Sequence, residues 1–242
     1  MNQFLILAFL FFIGSVIGWF LELFYRRFKR ANKEHKWVNP GFCTGPYVPL
    51  YGFGLCLLYL IASLENYNPV QNSFWNKVLL FMMMAVGATA IEYLAGILCV
   101  KAFKVRLWDY STEWGNLQGI ICPRFSFFWA LLGALYYFAI HPYILGALDW
   151  LSRNLSFSFV IGLFFGVFII DVVHSAQLVT KLKQFAEENN VIIRYENLKS
   201  HIRGIQQSNA MKHWFFRPFS SGRPLNEHLK EMLESFEKRI KS

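Results

Sequence analysis

Charge is scarce in this chain: 16% of residues are Asp, Glu, Lys or Arg, against about a quarter in an ordinary soluble domain. The motifs of several chemistries are missing as well. There is no GxxxxGK[ST], so no P-loop powers transport from within this chain. HExxH, GxSxG and GxGxxG are absent too, which leaves a serine or metal hydrolase and a dinucleotide enzyme with nothing specific in their favour. The four cysteines, Cys43, Cys56, Cys99 and Cys122, form no CxxC pair, so reduced thiols are expected and no zinc site has the spacing it needs. No internal repeat and no low-complexity segment is present.

Apolar residues take the place of charge. They make up 55% of the 242 residues, aromatics alone 19%. They fall in blocks of about twenty, the length that crosses a hydrocarbon core about 30 Å thick. The blocks are continuous and do not alternate with period two, which argues against a β-barrel. The reading is an all-α, polytopic membrane protein with five spans, approximately 4–25, 48–64, 78–100, 126–148 and 157–180. Residues 1–180 form the transmembrane domain and 181–242 a helical cytoplasmic tail. The first span has no basic segment before it and no A-x-A-like site after it, so it is expected to be retained. His141–Pro142 predicts a kink in the fourth.

The net charge of +9 is distributed unevenly. The two loops at 26–47 and 101–125 hold ten Lys and Arg, and the tail twelve; the segments between the other span ends hold two, Lys77 and Arg153. The positive-inside rule therefore puts the N-terminus outside and the tail in the cytoplasm of a cell membrane. It also explains the charge by anionic lipid, with no call on nucleic acid. In the tail, Leu178, Leu182, Phe185, Ile192, Leu198, Ile202 and Ile205 give one helical pattern, and Leu225, Leu229, Leu233, Phe236 and Ile240 a second. Between them the aromatic and basic run Met211–Arg223 suits a headgroup region.

The stretch Asn39–Gly54, NPGFCTGPYVPLYGFG, carries four glycines and three prolines in sixteen residues. Proline fixes φ and glycine permits positive φ, so the path is irregular and specified. It is either a shaped loop feeding a helix or a re-entrant loop lining a site.

Three acids lie inside the expected spans: Glu22, Glu92 and Asp171. Counted from the basic ends at 1.5 Å per residue, they sit roughly 5, 12 and 14 Å deep. His174 follows Asp171 by three and shares its face. Gly14 and Gly18 precede Glu22 on one face, and Ala85, Ala88, Glu92, Ala95 and Cys99 draw a small-residue stripe, the pattern of close helix packing. Asp171 stands about 140° round its helix from Gly166, so that helix is expected to be covered on two sides. Two readings are open. The acids pair with His174, Arg124 or loop donors and hold the bundle together; or they form a polar path open to the cytoplasm for a proton, a cation or a cationic headgroup. A carboxylate–His metal site is a sub-case that no ligand motif supports, and no metal or cofactor is encoded by a recognisable motif.

Two motifs carry a resemblance. GWFLELFY (Gly18–Tyr25), followed by a basic loop and NPGFCTGPYVPLYGFG, is the first. WDYS (Trp108–Ser111), followed by NLQGIICPRFSFFWALLG (Asn116–Gly133), is the second. Over roughly Gly18 to Pro142 the chain resembles the CmpB-like ABC-transporter permease family of bacterial membrane proteins. The family pattern often carries a base after the glycine of NLQG; Ile120 stands there, with Arg124 the nearest base. The resemblance implies a transporter component that relies on a separate ATPase subunit docking on its cytoplasmic loops or tail. Glu22, Glu92, Asp171 and His174 would line the path. Asn39, Gly41, Gly45, Pro46, Pro49, Tyr51 and Gly52, with Trp108, Asp109, Tyr110, Ser111 and Arg124, would form its gate. The alternatives are a membrane enzyme acting on lipid or a lipid-linked substrate, and a non-transporting scaffold or regulator. The small-residue pairs Gly14/Gly18 and Gly162/Gly166 serve either a homo-oligomer or the packing of one chain's own spans.

Overall fold

The computed structural model describes residues 2–29, 32, 35–65, 73–189, 191–195, 197–198, 227–231 and 234. Met211–Arg223, the first tail pattern beyond Leu198 and most of the second lie outside the described residues. The regular structure is helical apart from one two-residue strand pair, with irregular loops at 35–48 and 107–122.

Helix α1, Gln3–Phe28, starts where the Asn2 side chain accepts from the Phe4 N–H, and ends on Arg26 and Arg27, where positive charge suits the helix dipole. Helix α3 is Ser73–Phe103. Helices α4, Pro123–Leu135, and α5, His141–Arg153, are joined by a π-helical turn at Tyr136–Ile140. Helix α6, Ser158–Glu188, follows a 3₁₀ turn and runs unbroken past residue 180. Four stretches are long and apolar enough to cross a membrane: Gln3–Phe28, Phe74–Phe103, Pro123–Arg153 and Leu155–Glu188. Each contains one expected span, and the protein is an all-α, multi-pass membrane protein.

The remaining expected span, 48–64, is helix α2, Pro49–Ser63. Its 15 residues cover about 22 Å, too little for a full crossing. The reason lies in where it starts. The Val48 N–H donates to the Ser15 carbonyl at 2.9 Å, and Ser15 is midway along α1. The chain therefore leaves α1 at its basic end, turns back, and runs as irregular backbone beside the second half of α1 before α2 begins. Loop and short helix together run back beside α1, as far as Cys56, whose thiol donates to the Leu7 carbonyl. Irregular backbone survives at that depth because protein covers it: Trp19, Leu23 and Val48 bury one another, with Tyr51 packed on them. Part of the start of α2 is satisfied as well, since Val48 N–H reaches Ser15, Pro49 has no N–H, and Tyr51 N–H bonds the Val48 carbonyl at 3.1 Å.

Helices α1 and α2 pack backbone to backbone. A Cβ on Gly18 would lie 2.2 Å from the Tyr51 side chain, and one on Gly14 would lie 2.8 Å from Leu55 Cβ. The first glycine pair thus serves packing within this chain. The second does not: Gly162 and Gly166 have nothing within 4 Å. Of the two sides of α6 expected to be covered, only the Asp171 side is, by the loop and by Phe11, Phe12 and Tyr47 against Phe164 and Phe168.

The inner core of the bundle joins Phe9, Leu10, Leu80, Met84, Tyr136, Leu151 and Ile161. A second core sits at the basic end. There Val179, Leu182, Phe185 and Ala186 of α6 meet Val105, Ile193, Tyr195, Leu198 and Leu229. Strand β1 (Val105–Arg106) pairs in parallel with β2 (Ile193–Arg194), so the described part of the tail is stapled to the loop after α3.

Gly52 tests the α1–α2 contact. A Cβ there would lie 2.3 Å from Ser15 Oγ and 2.7 Å from the Phe11 carbonyl. Gly52→Ala should lower stability by about 1–3 kcal/mol, seen as a lower melting temperature of the detergent-purified chain. Gly162→Ala, in open space, should leave it unchanged within about 0.5 kcal/mol.

Candidate functional site

The three intramembrane acids have three different sets of partners. Glu22, six residues before the end of α1, is paired with Arg26 at 2.9 Å and accepts from Tyr51 Oη at 3.1 Å. Its charge is locally balanced.

Asp171, on α6, faces the Gly/Pro loop. Its carboxylate accepts from the backbone N–H of Thr44 (3.1 Å) and Gly45 (2.7 Å), from Tyr47 Oη (2.5 Å) and from Ser175 Oγ (3.2 Å). Four donors occupy nearly all the acceptor capacity of a carboxylate. The sequence builds this contact with a chain turn that aims two successive amides at one point. Asn39 holds that turn from behind: it is buried, accepts from Trp19 Nε1 at 2.6 Å, and donates from Nδ2 to the Thr44 carbonyl at 2.9 Å. Gly41 takes φ +76°, which a side chain would resist. A Cβ on Gly45 would lie 2.4 Å from the Tyr47 ring, so that position is also held to glycine. Pro46 is exposed and Pro49 opens α2. His174, expected beside Asp171, is exposed and makes no hydrogen bond to it.

Glu92 is only 3% exposed. Tyr110 Oη donates to Oε1 at 3.0 Å and Trp129 Nε1 to Oε2 at 2.9 Å. Both donors are neutral, and among the described residues no Lys or Arg pairs with it. Tyr110 is stacked on Phe125 at 4.3 Å, and its N–H donates to the Gly119 carbonyl at 2.8 Å. Burial, and then the charge of Glu92, push the Tyr110 phenol far up, so it remains a donor. Trp129 also packs on Tyr51 at 5.4 Å, and Tyr51 bonds Glu22. Glu22, Tyr51, Trp129, Glu92 and Tyr110 thus form one row across α1, α2, α4, α3 and the loop after it. Asp171 lies in a separate cluster.

The second motif forms a cap over this row. Trp108 Nε1 donates to the Ile120 carbonyl at 2.8 Å, and Ile120 is buried against Gly96, where a Cβ would come within 2.2 Å of it. An apolar residue after Gly119 is what that contact needs. Asp109 accepts from Arg106 (2.9 Å) and from the Ser111 N–H (3.1 Å), and Arg194 of β2 lies 3.1 Å away. Burial alone would raise the Asp109 carboxyl, but these bonds and the two guanidinium groups outweigh it and hold the group below the usual carboxylate range. Arg124 turns away from all three acids and pairs with Glu113 at 3.2 Å.

Sequence reasoning missed Trp19, Tyr47, Trp129, Ser175, Arg194 and Tyr195. Ser175 was legible as the residue four after Asp171. Trp129 is 37 residues from Glu92, and no spacing rule connects them.

A family model described as Putative ABC-transporter type IV matches residues 9–176, well over half of the chain and all of both motifs. No curated protein and no solved structure matches.

The Asp171 contact has a reporter beside it. Cys43 is buried within the loop. Asp171→Asn replaces a charged acceptor by a weaker one and puts two donor hydrogens among four donors. Thiol labelling of Cys43 in a chain with the other three cysteines replaced should accelerate roughly tenfold or more. An unchanged rate would mean that the loop is held without Asp171.

Proposed function

We propose, for a chain that belongs to the ABC-transporter type IV family, the role of the membrane-embedded permease component of a transporter, with no ATPase of its own. Its polar site lies in the half of the bundle nearer the two basic loops and is centred on Glu92. Ten basic residues in those loops against two on the opposite side support a cytoplasmic placement of that half, with the N-terminus outside and the tail inside.

One observation carries this reading: a buried carboxylate with two neutral donors and no paired cation among the described residues. An ionised carboxylate in such a place costs several kcal/mol that a cation or a proton removes. Glu92 is therefore the acid with the most to gain from binding one. Glu22 has Arg26, and Asp171 has four donors. The path narrows to Glu92 with Glu22 beside it. Asp171 and the residues Asn39–Tyr47 act as the latch of the gate, and Trp108–Ser111 as its lid. The surface of Asp109, Arg106 and Arg194 at the basic end is where a separate ATPase would dock.

Glu92→Gln keeps the size and shape and removes the charge; the amide oxygen can still accept from Trp129 Nε1, while the amide NH₂ faces Tyr110, whose hydroxyl can turn to accept. Transport-linked growth should be lost while membrane expression stays normal; an unchanged phenotype would remove Glu92 from the path. Gentle extraction of the tagged chain followed by mass spectrometry should recover a stoichiometric nucleotide-binding subunit. A clean preparation without one would count against an ABC-type permease.

A further inference from the structure

At the other end of the bundle lies a second polar cluster, built by the irregularity at Tyr136–Ile140. Pro142 has no N–H, and its ring would crowd the carbonyl four residues earlier. The chain answers with a π-turn, in which the His141 N–H reaches back five residues to the Tyr136 carbonyl. In a regular α-helix residues five apart point about 140° away from each other. The π-turn brings them to one side, where Tyr136 Oη lies 2.8 Å from His141 Nδ1. Tyr136 is 2% exposed, and a phenol so deeply buried needs that partner.

The groups that face this pair come from two elements. From α2, Tyr59 stands 6.3 Å from the imidazole ring, and Cys56 lies beside Tyr136, its thiol donating to the Leu7 carbonyl at 3.4 Å. From the turn after α2, the Glu65 carboxylate is close enough to act on His141 and on the Tyr137 hydroxyl. Tyr136 is also two helical turns from Trp129, on the same face of α4, with Gly133 buried between them against Met84. One side of α4 therefore carries the donor to Glu92 at one end and the partner of His141 at the other.

We propose that His141, held by Tyr136 and faced by Glu65, is a second proton-binding site of this protein, at the end of the bundle away from Glu92. The neutral ring accepts the Tyr136 O–H at Nδ1. When a proton from the adjoining aqueous phase is taken up at Nδ1, the new N–H donates to the Tyr136 oxygen, the hydroxyl hydrogen turns away, and Glu65 offsets the imidazolium charge. No bond to carbon is made or broken. The part of this site in transport rests on the Glu92 reading; its existence as a proton site does not.

The test uses the full chain in lipid nanodiscs with ¹⁵N-imidazole histidine, followed by NMR from about pH 5 to about pH 9, around the ordinary imidazole value. The His141 signal is assigned by its loss in His141→Gln. It should change protonation state within that window. Tyr136→Phe should lower its midpoint by about one pH unit, because the charged ring loses the stronger of its two hydrogen bonds. Glu65→Gln should lower it too, and serves if Tyr136→Phe does not fold. A His141 locked in one state throughout, or a midpoint that neither variant moves, would overturn the proposal. Glu92→Gln should leave the His141 titration in place, which separates failure of this site from failure of the other.

Discussion

The backbone of the Gly/Pro loop must be satisfied without water, and much of the structure follows from that. A loop that turns back beside the middle of a membrane helix exposes amides and carbonyls where each unpaired group costs several kcal/mol. Three residues answer, Ser15 with its backbone and Asn39 and Asp171 with their side chains. Ser15 gives its carbonyl to Val48, Asn39 bonds Trp19 on one side and Thr44 on the other, and Asp171 takes the amides of Thr44 and Gly45. The glycines and prolines serve the same end from the other direction. Gly41 makes the turn available, Pro49 removes a donor that would have been orphaned, and Gly18 lets the Tyr51 side chain lie on α1. A half-helix such as α2 exists because its missing half is replaced by backbone that the neighbours satisfy.

The same reasoning separates acids that look alike in sequence. Depth alone would treat Glu22, Glu92 and Asp171 as one class. Their partners do not. An acid with a guanidinium one turn away is neutralised locally, and an acid holding backbone amides acts as a bracket. Glu92 is the most deeply buried of the three and has two neutral donors where Asp171 has four; it sits where α3, α4 and the capping loop converge through Tyr110 and Trp129. The cap itself is a structured turn, with Gly119 at φ +67° and Ile120 tucked against Gly96.

Much of the architecture was legible because membranes write it in one dimension. Apolar blocks of the right length located α1, α3, the α4–α5 pair and α6. His141–Pro142 marked the place where the fourth hydrogen-bond ladder breaks. The glycine pair on α1 foretold a close contact, and Asn39–Gly54 an irregular path. What could not be read is which loop donor meets which acid, because those contacts join residues such as Thr44 and Asp171 that are 127 apart. Nor did an apolar block reveal that α2 begins halfway across. Hydropathy counts residues and carries no information on the depth at which the chain resumes its helix. His174 shares a face with Asp171, yet the bonds to that acid come from the loop and from Ser175.

Helix α6 gives these local contacts a common frame. It is unbroken from Ser158 to Glu188, so its two ends move together. Its middle holds the loop through Asp171, and its basic end is packed into the tail cluster through Leu182, Phe185 and Ala186. The tail touches the two motif loops directly as well. Tyr195 Oη donates to the Phe42 carbonyl at 3.4 Å in the first, and Arg194 pairs with Asp109 in the second. The Arg194–Asp109 pair lies at the surface, whereas Asp171 holds the inner loop and Ser175 through four donors. Because α6 has no break, the Asp171 bracket and the tail cluster are carried by one continuous element.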